Sequence, residues 1–201
     1  RSSAASDVYK RQTMKVIYTN SWASIDLEKE AAESLIADGC VLISQHADTT
    51  GASTACEKAG VPIVGYNVSM IATAPTQALT SASIDWGPYY TYAVKSVIDG
   101  TKIDTDWCKG YDDGADKITE LNDKAIAKGT KEKVKEVEDA IKDGSLHVFD
   151  TSTFTVDGKE LDSWKDDNGN EYIKDGYFHE SELHSAPAFA INIDGIESVE
   201  K

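Results

Sequence analysis

The sequence has no long hydrophobic run. No stretch of its 201 residues approaches the roughly 18 consecutive apolar residues of a membrane-spanning helix. The N-terminal segment also lacks the succession of basic, apolar and small residues that marks a secretion signal. Neither a transmembrane segment nor a signal segment is therefore predicted within this sequence.

The sequence is also poor in basic residues. It contains 20 Lys and Arg against 35 Asp and Glu, which gives a formal net charge of -15. Proteins that bind nucleic acid neutralise phosphates with Lys and Arg, so a nucleic-acid partner is not expected. The simplest interpretation of the acidity is a well-hydrated surface.

Motifs for metal binding and for catalysis are absent as well. His179-Glu180 and His184 are one residue too far apart for the zinc motif HExxH, and no Cys pair has metal-ligand spacing. No nucleophile elbow, P-loop or dinucleotide fingerprint occurs. We therefore predict no cofactor and no enzymatic activity, although His46 and Asp48 form one suggestive acid–base pair.

Between residues 14 and 67, short apolar runs alternate with segments of helical periodicity, as in a parallel α/β sheet. The pattern predicts strands at 15–19, 41–44 and 61–64, and helices at 28–37 and 53–58. Parallel strands of one sheet end at the same edge, where such folds bind ligands. The polar residues that follow these three strands are therefore expected to meet at that edge.

The rest of the chain reads as a second set of elements. It predicts a strand at 78–83, a helix at 90–98 with Pro88 in its first turn, and a helix at 131–141. Residues 146–156 are predicted to be extended. Residues 161–173 are predicted to form a hairpin with a type I′ turn at Asn168-Gly169, a pair that tolerates positive φ.

Four loop motifs occur in a recognisable order: TNSW at 19–22, QHADTT at 45–50, VGYN at 64–67 and DWGPYY at 85–90. On these motifs the chain resembles the basic membrane lipoprotein (BMP) family of solute-binding proteins, which serve ABC importers and include purine and purine-nucleoside receptors. The resemblance implies a type I periplasmic-binding-protein fold, an α/β three-layer α/β/α sandwich with a mostly parallel sheet. Because two lobes need roughly 300 residues, an incomplete two-lobe protein is expected.

The resemblance also suggests a division of the chain. Residues 1–13 are predicted to be a non-native or disordered leader, and residues 14–85 the α/β core of the C-terminal lobe. Residues 86–121 are expected to cross the hinge and to supply elements of the N-terminal lobe. Residues 122–201 would complete the C-terminal lobe with a helix, a strand and a hairpin.

The strand-end residues suit a flat heteroaromatic solute, which has two apolar faces and a polar edge. By the resemblance, Trp22 occupies the position from which nucleoside receptors of the family stack an aromatic ring on the base. The predicted ligand-binding residues are Asn20, Trp22, Gln45, His46, Asp48, Thr49, Asn67, Ser69 and Trp86. The structural alternatives are a core position for Trp22, and loop capping for the polar residues.

The resemblance also bears on the choice of solute. Nucleoside receptors of the family use an acidic residue and a lysine on the ribose hydroxyls, whereas Ile84, Asp85 and Trp86 include no lysine. An adenine-like free base is therefore favoured over a nucleoside, with Trp86 occupying the space of a sugar.

Partners and location follow from the resemblance in the same way. It implies a small purine ligand, an ABC permease as partner, and a periplasmic or extracellular location through a lipid anchor that this chain does not show. Two alternatives remain open among binding proteins: a ligand-sensing regulatory module of the same fold, and a receptor for a sugar or another small polar solute.

Overall fold

The computed structural model describes residues 13–179 and 191–199, which form two compact units. The first unit contains Ile17–Ile103 and Lys109–Glu136. The second contains strand β1 (Met14–Val16), Asp104–Cys108 and the described part of Val137–Val199. The predicted leader, apart from residue 13, and the pair Glu180 and His184 lie outside the described residues. The predicted domain boundaries stay predictions.

The first unit is built around a four-stranded sheet. In chain order its elements are α1 (Ile25–Ala37), β2 (Ile43–Ser44), α2 (Gly51–Ala59), β3 (Ile63–Tyr66), β4 (Ala78–Ile84), α3 (Gly87–Asp99) and β5 (Asp116–Ile118). The strand order is β2-β3-β4-β5, with β2, β3 and β4 parallel and β5 antiparallel to β4. A mixed α/β fold with a mostly parallel sheet is therefore confirmed.

Helices α1 and α2 pack closely because their facing residues are small. The buried core consists of Ala32, Ile43, Ala52, Ala55, Cys56, Ile63, Met70, Ala74 and Ala78. A side chain at Gly51 would collide with the backbone carbonyl of Ile25, so only glycine allows this approach of α2 to α1. Burial raises the pKa of the Cys56 thiol to about 11, which makes it an unreactive packing group.

The prediction that three parallel strands share one sheet is wrong for the first strand. Strand β1 pairs in parallel with β9 (Ile196–Ser198) in a separate two-stranded sheet. Strand β2 is consequently an edge strand, paired only with β3 among the described residues. It is also shorter than the predicted 41–44, and Val41 and Leu42, which precede it, are 82% and 51% exposed.

Helix α3 presents an apolar face to solvent. Pro88 lies in its first turn and Gly100, with φ +66, ends it, as the sequence predicts. Val94, Val97 and Ile98 are nonetheless 59%, 70% and 77% exposed. Such a face is normally covered, so its exposure agrees with an incomplete two-lobe protein.

The remaining elements are α4 (Thr130–Lys142), a 3-10 helix (Thr151–Thr153), β6 (Trp164–Lys165), β7 (Glu171–Lys174) and β8 (Tyr177–Phe178). Strands β6, β7 and β8 form an antiparallel sheet, so the predicted hairpin is confirmed. Its predicted type I′ turn is wrong, because Gly169 adopts a positive φ and Asn168 does not. The Asp166 carboxylate instead accepts the backbone N–H groups of Asn168 and Asn170. The extended prediction for 146–156 also fails at the 3-10 helix.

Candidate ligand-binding site

The TNSW loop lies beside the loop that follows β2, although β1 is not in that sheet. The carbonyl oxygen of Trp22 accepts the backbone N–H of Asp48 at 2.9 Å. The side chain of Trp22 is 79% exposed, so the alternative of a core position is wrong. Asn20 adopts φ +51 at the turn, a conformation that asparagine tolerates, and is exposed.

An aromatic contact joins the loop that follows β2 to the end of β3. The rings of His46 and Tyr66 meet edge to face, with centroids 4.5 Å apart and an interplanar angle of 64°. The next residue, Asn67, adopts φ +67 and donates its backbone N–H to the Ala82 carbonyl oxygen at 2.6 Å. The carbonyl oxygen of Asn67 accepts the hydroxyl of Ser83 at 2.7 Å, while its side chain remains exposed. Its backbone is thus fixed and its carboxamide is presented to solvent.

Two of the predicted ligand contacts, Gln45 and Thr49, make bonds within the fold. The Gln45 amide nitrogen donates to the carbonyl oxygens of Ala47 and Thr49, at 2.7 and 2.5 Å, and the side chain is buried. The Thr49 hydroxyl accepts the backbone N–H of Gly51 at 3.2 Å. These groups shape the loop that presents His46 and Asp48.

The Ser69 hydroxyl makes a bond within the fold. It donates to a carboxylate oxygen of Glu120 at 2.9 Å. A direct ligand contact by Ser69 therefore stays a prediction.

An ion pair stands at the end of β4. The Lys117 ammonium, on β5, donates to the Asp85 carboxylate at 2.7 Å. This bond and the backbone N–H of Gly87 hold the pKa of the Asp85 carboxyl below its usual range. Trp86 follows and is 56% exposed, with its ring centroid 6.3 Å from those of Tyr89 and Tyr90.

Lys117→Met is expected to raise the Asp85 pKa toward that of an ordinary aspartate. The N–H of Gly87, at 2.9 Å, will keep part of the lowering. Because the folded-state pKa is the lower one, the stabilisation from the pair is complete above the pKa of unfolded aspartate and is lost as pH falls through the folded value. Carboxyl carbon NMR titration measures the shift.

Lys109→Met is the matched control for that titration, because Lys109 pairs with Asp113 and not with Asp85. The same Asp85 pKa in the two variants would show that Lys117 does not set it.

The exposed groups that follow β2, β3 and β4, together with the adjoining TNSW loop, form the candidate site. Its exposed members are Asn20, Trp22, His46, Asp48, Asn67 and Trp86. They offer an aromatic platform together with amide, imidazole and carboxylate groups, which is the chemistry for holding a small polar ring. Two residues that contact these groups, Tyr66 and Lys117, were not among the predicted ligand-binding residues.

Other kinds of site receive no support from the described residues. No group of three or more His, Cys, Asp or Glu side chains in them is placed to hold a metal ion. None of the helices in that part of the chain is long and apolar enough to cross a membrane.

Solved structures with a similar fold include two kinds of protein. A solute-binding protein of an ABC transporter system from Conexibacter woesei aligns with a TM-score of 0.50 and 21% identity, covering 65% of this chain and 44% of that chain. A transcriptional activator of the comK gene from Bacillus halodurans aligns with a TM-score of 0.57 and 15% identity, covering 65% and 47%. At these identities the likeness concerns the fold alone.

Sequence comparisons are more specific. A purine-binding protein of Brucella abortus is 34% identical over 147 residues, which are 73% of this chain and 41% of that protein. A protein of Haloferax volcanii named as an ABC transporter glucose-binding protein is 30% identical over 158 residues, 78% of this chain and 40% of that protein. The chain therefore spans about two fifths of the length of these relatives.

A family profile gives the assignment. Residues 5–147 match the Bmp family, described as PnrA-like ABC transporter substrate-binding proteins, and the match begins inside the segment predicted to be a leader. The family comprises substrate-binding proteins and not enzymes. The chain belongs to the Bmp family of PnrA-like ABC transporter substrate-binding proteins, which confirms the resemblance drawn from its four loop motifs.

Proposed function

We propose that the chain is part of the solute receptor of an ABC importer and that its solute is a purine base or nucleoside, with adenine favoured. The observation that carries this proposal is Trp22, which is 79% exposed while its own carbonyl is bound to the Asp48 backbone. A large aromatic side chain held in the open on a fixed loop is suited to stacking on a flat ring.

The polar groups around Trp22 support a purine. Its ring edge alternates hydrogen-bond donors and acceptors, which the carboxylate of Asp48, the carboxamide of Asn67 and the imidazole of His46 can match. All three side chains are exposed, and they follow β2 and β3, neighbouring strands of one sheet. The purine-binding relative from Brucella abortus points to the same class of solute.

Lys117 changes the argument about ribose. The sequence around Asp85 contains no lysine. Lys117 lies far along the chain, on β5, but its ammonium is 2.7 Å from the Asp85 carboxylate. An acidic residue and a lysine are therefore both present, so the lack of a nearby lysine no longer argues against a nucleoside. The preference for a free base now rests on Trp86, whose exposed indole follows Asp85 directly.

Binding would proceed by closure of two lobes over the solute, and the closed receptor would then dock on a permease outside the cytoplasmic membrane. A lipid anchor would tether the receptor to the membrane. The exposed apolar face of α3 fits a segment that packs within such a two-lobed protein.

Adenine is expected to bind the full-length receptor at least as tightly as adenosine. The physical reason is that Trp86 fills space next to the base that a sugar would need. Calorimetry with adenine, adenosine, guanosine and glucose, preceded by mass spectrometry of the solute that co-purifies, makes the comparison. Adenosine or guanosine binding more than tenfold tighter than adenine would reject the free-base assignment.

A second candidate solute is a sugar, favoured by the glucose-binding name of the relative from Haloferax volcanii. An exposed indole also stacks on the apolar face of a pyranose, so Trp22 alone does not separate the two classes. Glucose binding without measurable purine binding would establish this alternative in the same calorimetric series.

A further inference from the structure

Glu28 is a buried carboxylate, and its hydrogen bonds extend beyond its own helix. It lies in the first turn of α1 and is 3% exposed. Burying a charged group costs several kcal/mol unless hydrogen bonds replace the lost water. A helix that needed only an apolar contact here would carry alanine, as it does at the buried Ala31 and Ala32.

The hydrogen bonds of Glu28 reach far along the chain. One carboxylate oxygen accepts the backbone N–H of Ser24 at 3.3 Å, a local bond at the start of α1. The other oxygen accepts the backbone N–H of Thr49 at 3.2 Å and the side-chain amide N–H of Gln45 at 3.4 Å. Two of its three partners therefore belong to the loop that follows β2.

These bonds confine the residue that the site uses. The Gln45 amide also donates to the carbonyl oxygens of Ala47 and Thr49. These two residues are the chain neighbours of Asp48, so hydrogen bonds fix the backbone on both sides of it. Asp48 itself donates its N–H to the Trp22 carbonyl oxygen. A displacement of Thr49 would therefore move Asp48 and the backbone contact that places Trp22.

We infer that Glu28 is a positioning residue for the solute site, and that its carboxylate fixes the loop between Gln45 and Thr49 so that Asp48 and Trp22 are presented together. The inference rests on the proposed function for the meaning of the site. It assigns a role to a side chain that does not contact the solute.

Glu28→Met tests the inference with little change in volume. Methionine has no carboxylate oxygens and its thioether is only a weak acceptor, so Ser24, Thr49 and Gln45 all lose the group to which they donate. Amide hydrogen exchange at Thr49 is expected to accelerate at least tenfold relative to exchange at Ala32 in the interior of α1. At temperatures below the unfolding transition, the affinity for adenine is expected to fall at least tenfold. Glu33→Met is the matched control, because Glu33 is exposed on the same helix.

The exchange and binding measurements separate the two claims. Unchanged Thr49 exchange in Glu28→Met, or faster exchange with unchanged adenine affinity, overturns the positioning role. If the parent receptor binds no adenine, the proposed function fails, and the Thr49 exchange contrast between the Glu28 and Glu33 variants still decides whether Glu28 fixes the loop.

Discussion

Trp22→Ala in the full-length receptor is expected to weaken purine binding by about 1 to 3 kcal/mol, the range for removing an aromatic platform from a stacked base. That range corresponds to roughly a five- to 140-fold rise in the dissociation constant. Because the indole is 79% exposed, its removal leaves the core intact and the loss appears in affinity. Isothermal calorimetry with adenine gives the number.

Trp164→Ala is the control for that measurement, and the structure changes how it must be used. Trp164 lies in β6, and its ring packs with those of Tyr172 and Phe178, at centroid distances of 5.5 and 6.4 Å. This variant is therefore expected to lose stability in its hairpin while retaining purine affinity. Equal affinity of a folded Trp22→Ala variant and the parent would remove the stacking assignment.

The exposed residues of the candidate site that the sequence located are those whose positions depend on short-range patterns along the chain. The motifs located the exposed residues Trp22, His46 and Asp48 because a strand end followed by polar residues is a short-range pattern. Gln45 belongs to the same motif but turns inward, where its amide nitrogen donates to the carbonyl oxygens of Ala47 and Thr49. Sequence order alone does not tell which residues of a loop face the solvent.

Lys117 and Glu28 were missed for a different reason. The Lys117 ammonium meets Asp85 only because β5 returns antiparallel to β4, a pairing that no local pattern predicts. Glu28 sits in a segment of sound helical periodicity, where a glutamate is normally a solvent-exposed residue. It follows the N-cap Ser24 by four residues, one more than the spacing of a capping box, so this local signal is absent as well.

The strands show the same limit. Alternation of apolar runs and helices predicted the parallel pairing of β2 and β3 correctly, because periodicity reflects which faces are buried. It could not predict that β1 pairs with β9, since the partner lies near the other end of the described chain. The apolar residues Val41 and Leu42 were predicted to belong to a strand, but they are exposed beside the edge strand β2.

Ile63→Ala is expected to lower the free energy of unfolding of the first unit by about 2 to 5 kcal/mol, the range for truncating a buried isoleucine that leaves a cavity. Ile63 is fully buried in β3, between β2 and β4, and belongs to the alanine-rich core under α1 and α2. Small neighbours cannot rotate larger side chains into the space. Urea titration followed at the backbone amides of β3 and β4 measures the loss.

Ile25→Ala is the matched control, because Ile25 is 59% exposed at the start of α1 and should change stability by less than about 0.5 kcal/mol. The comparison also tests the site, because β3 ends at Tyr66 and Asn67 follows it. We expect the folded Ile63→Ala variant to retain its affinity for adenine and to lose binding only as the first unit unfolds. Similar losses of stability in the two variants would show that the core does not depend on β3. A loss of affinity in the folded Ile63→Ala variant would show that packing beneath the strand sets the geometry of the binding loops.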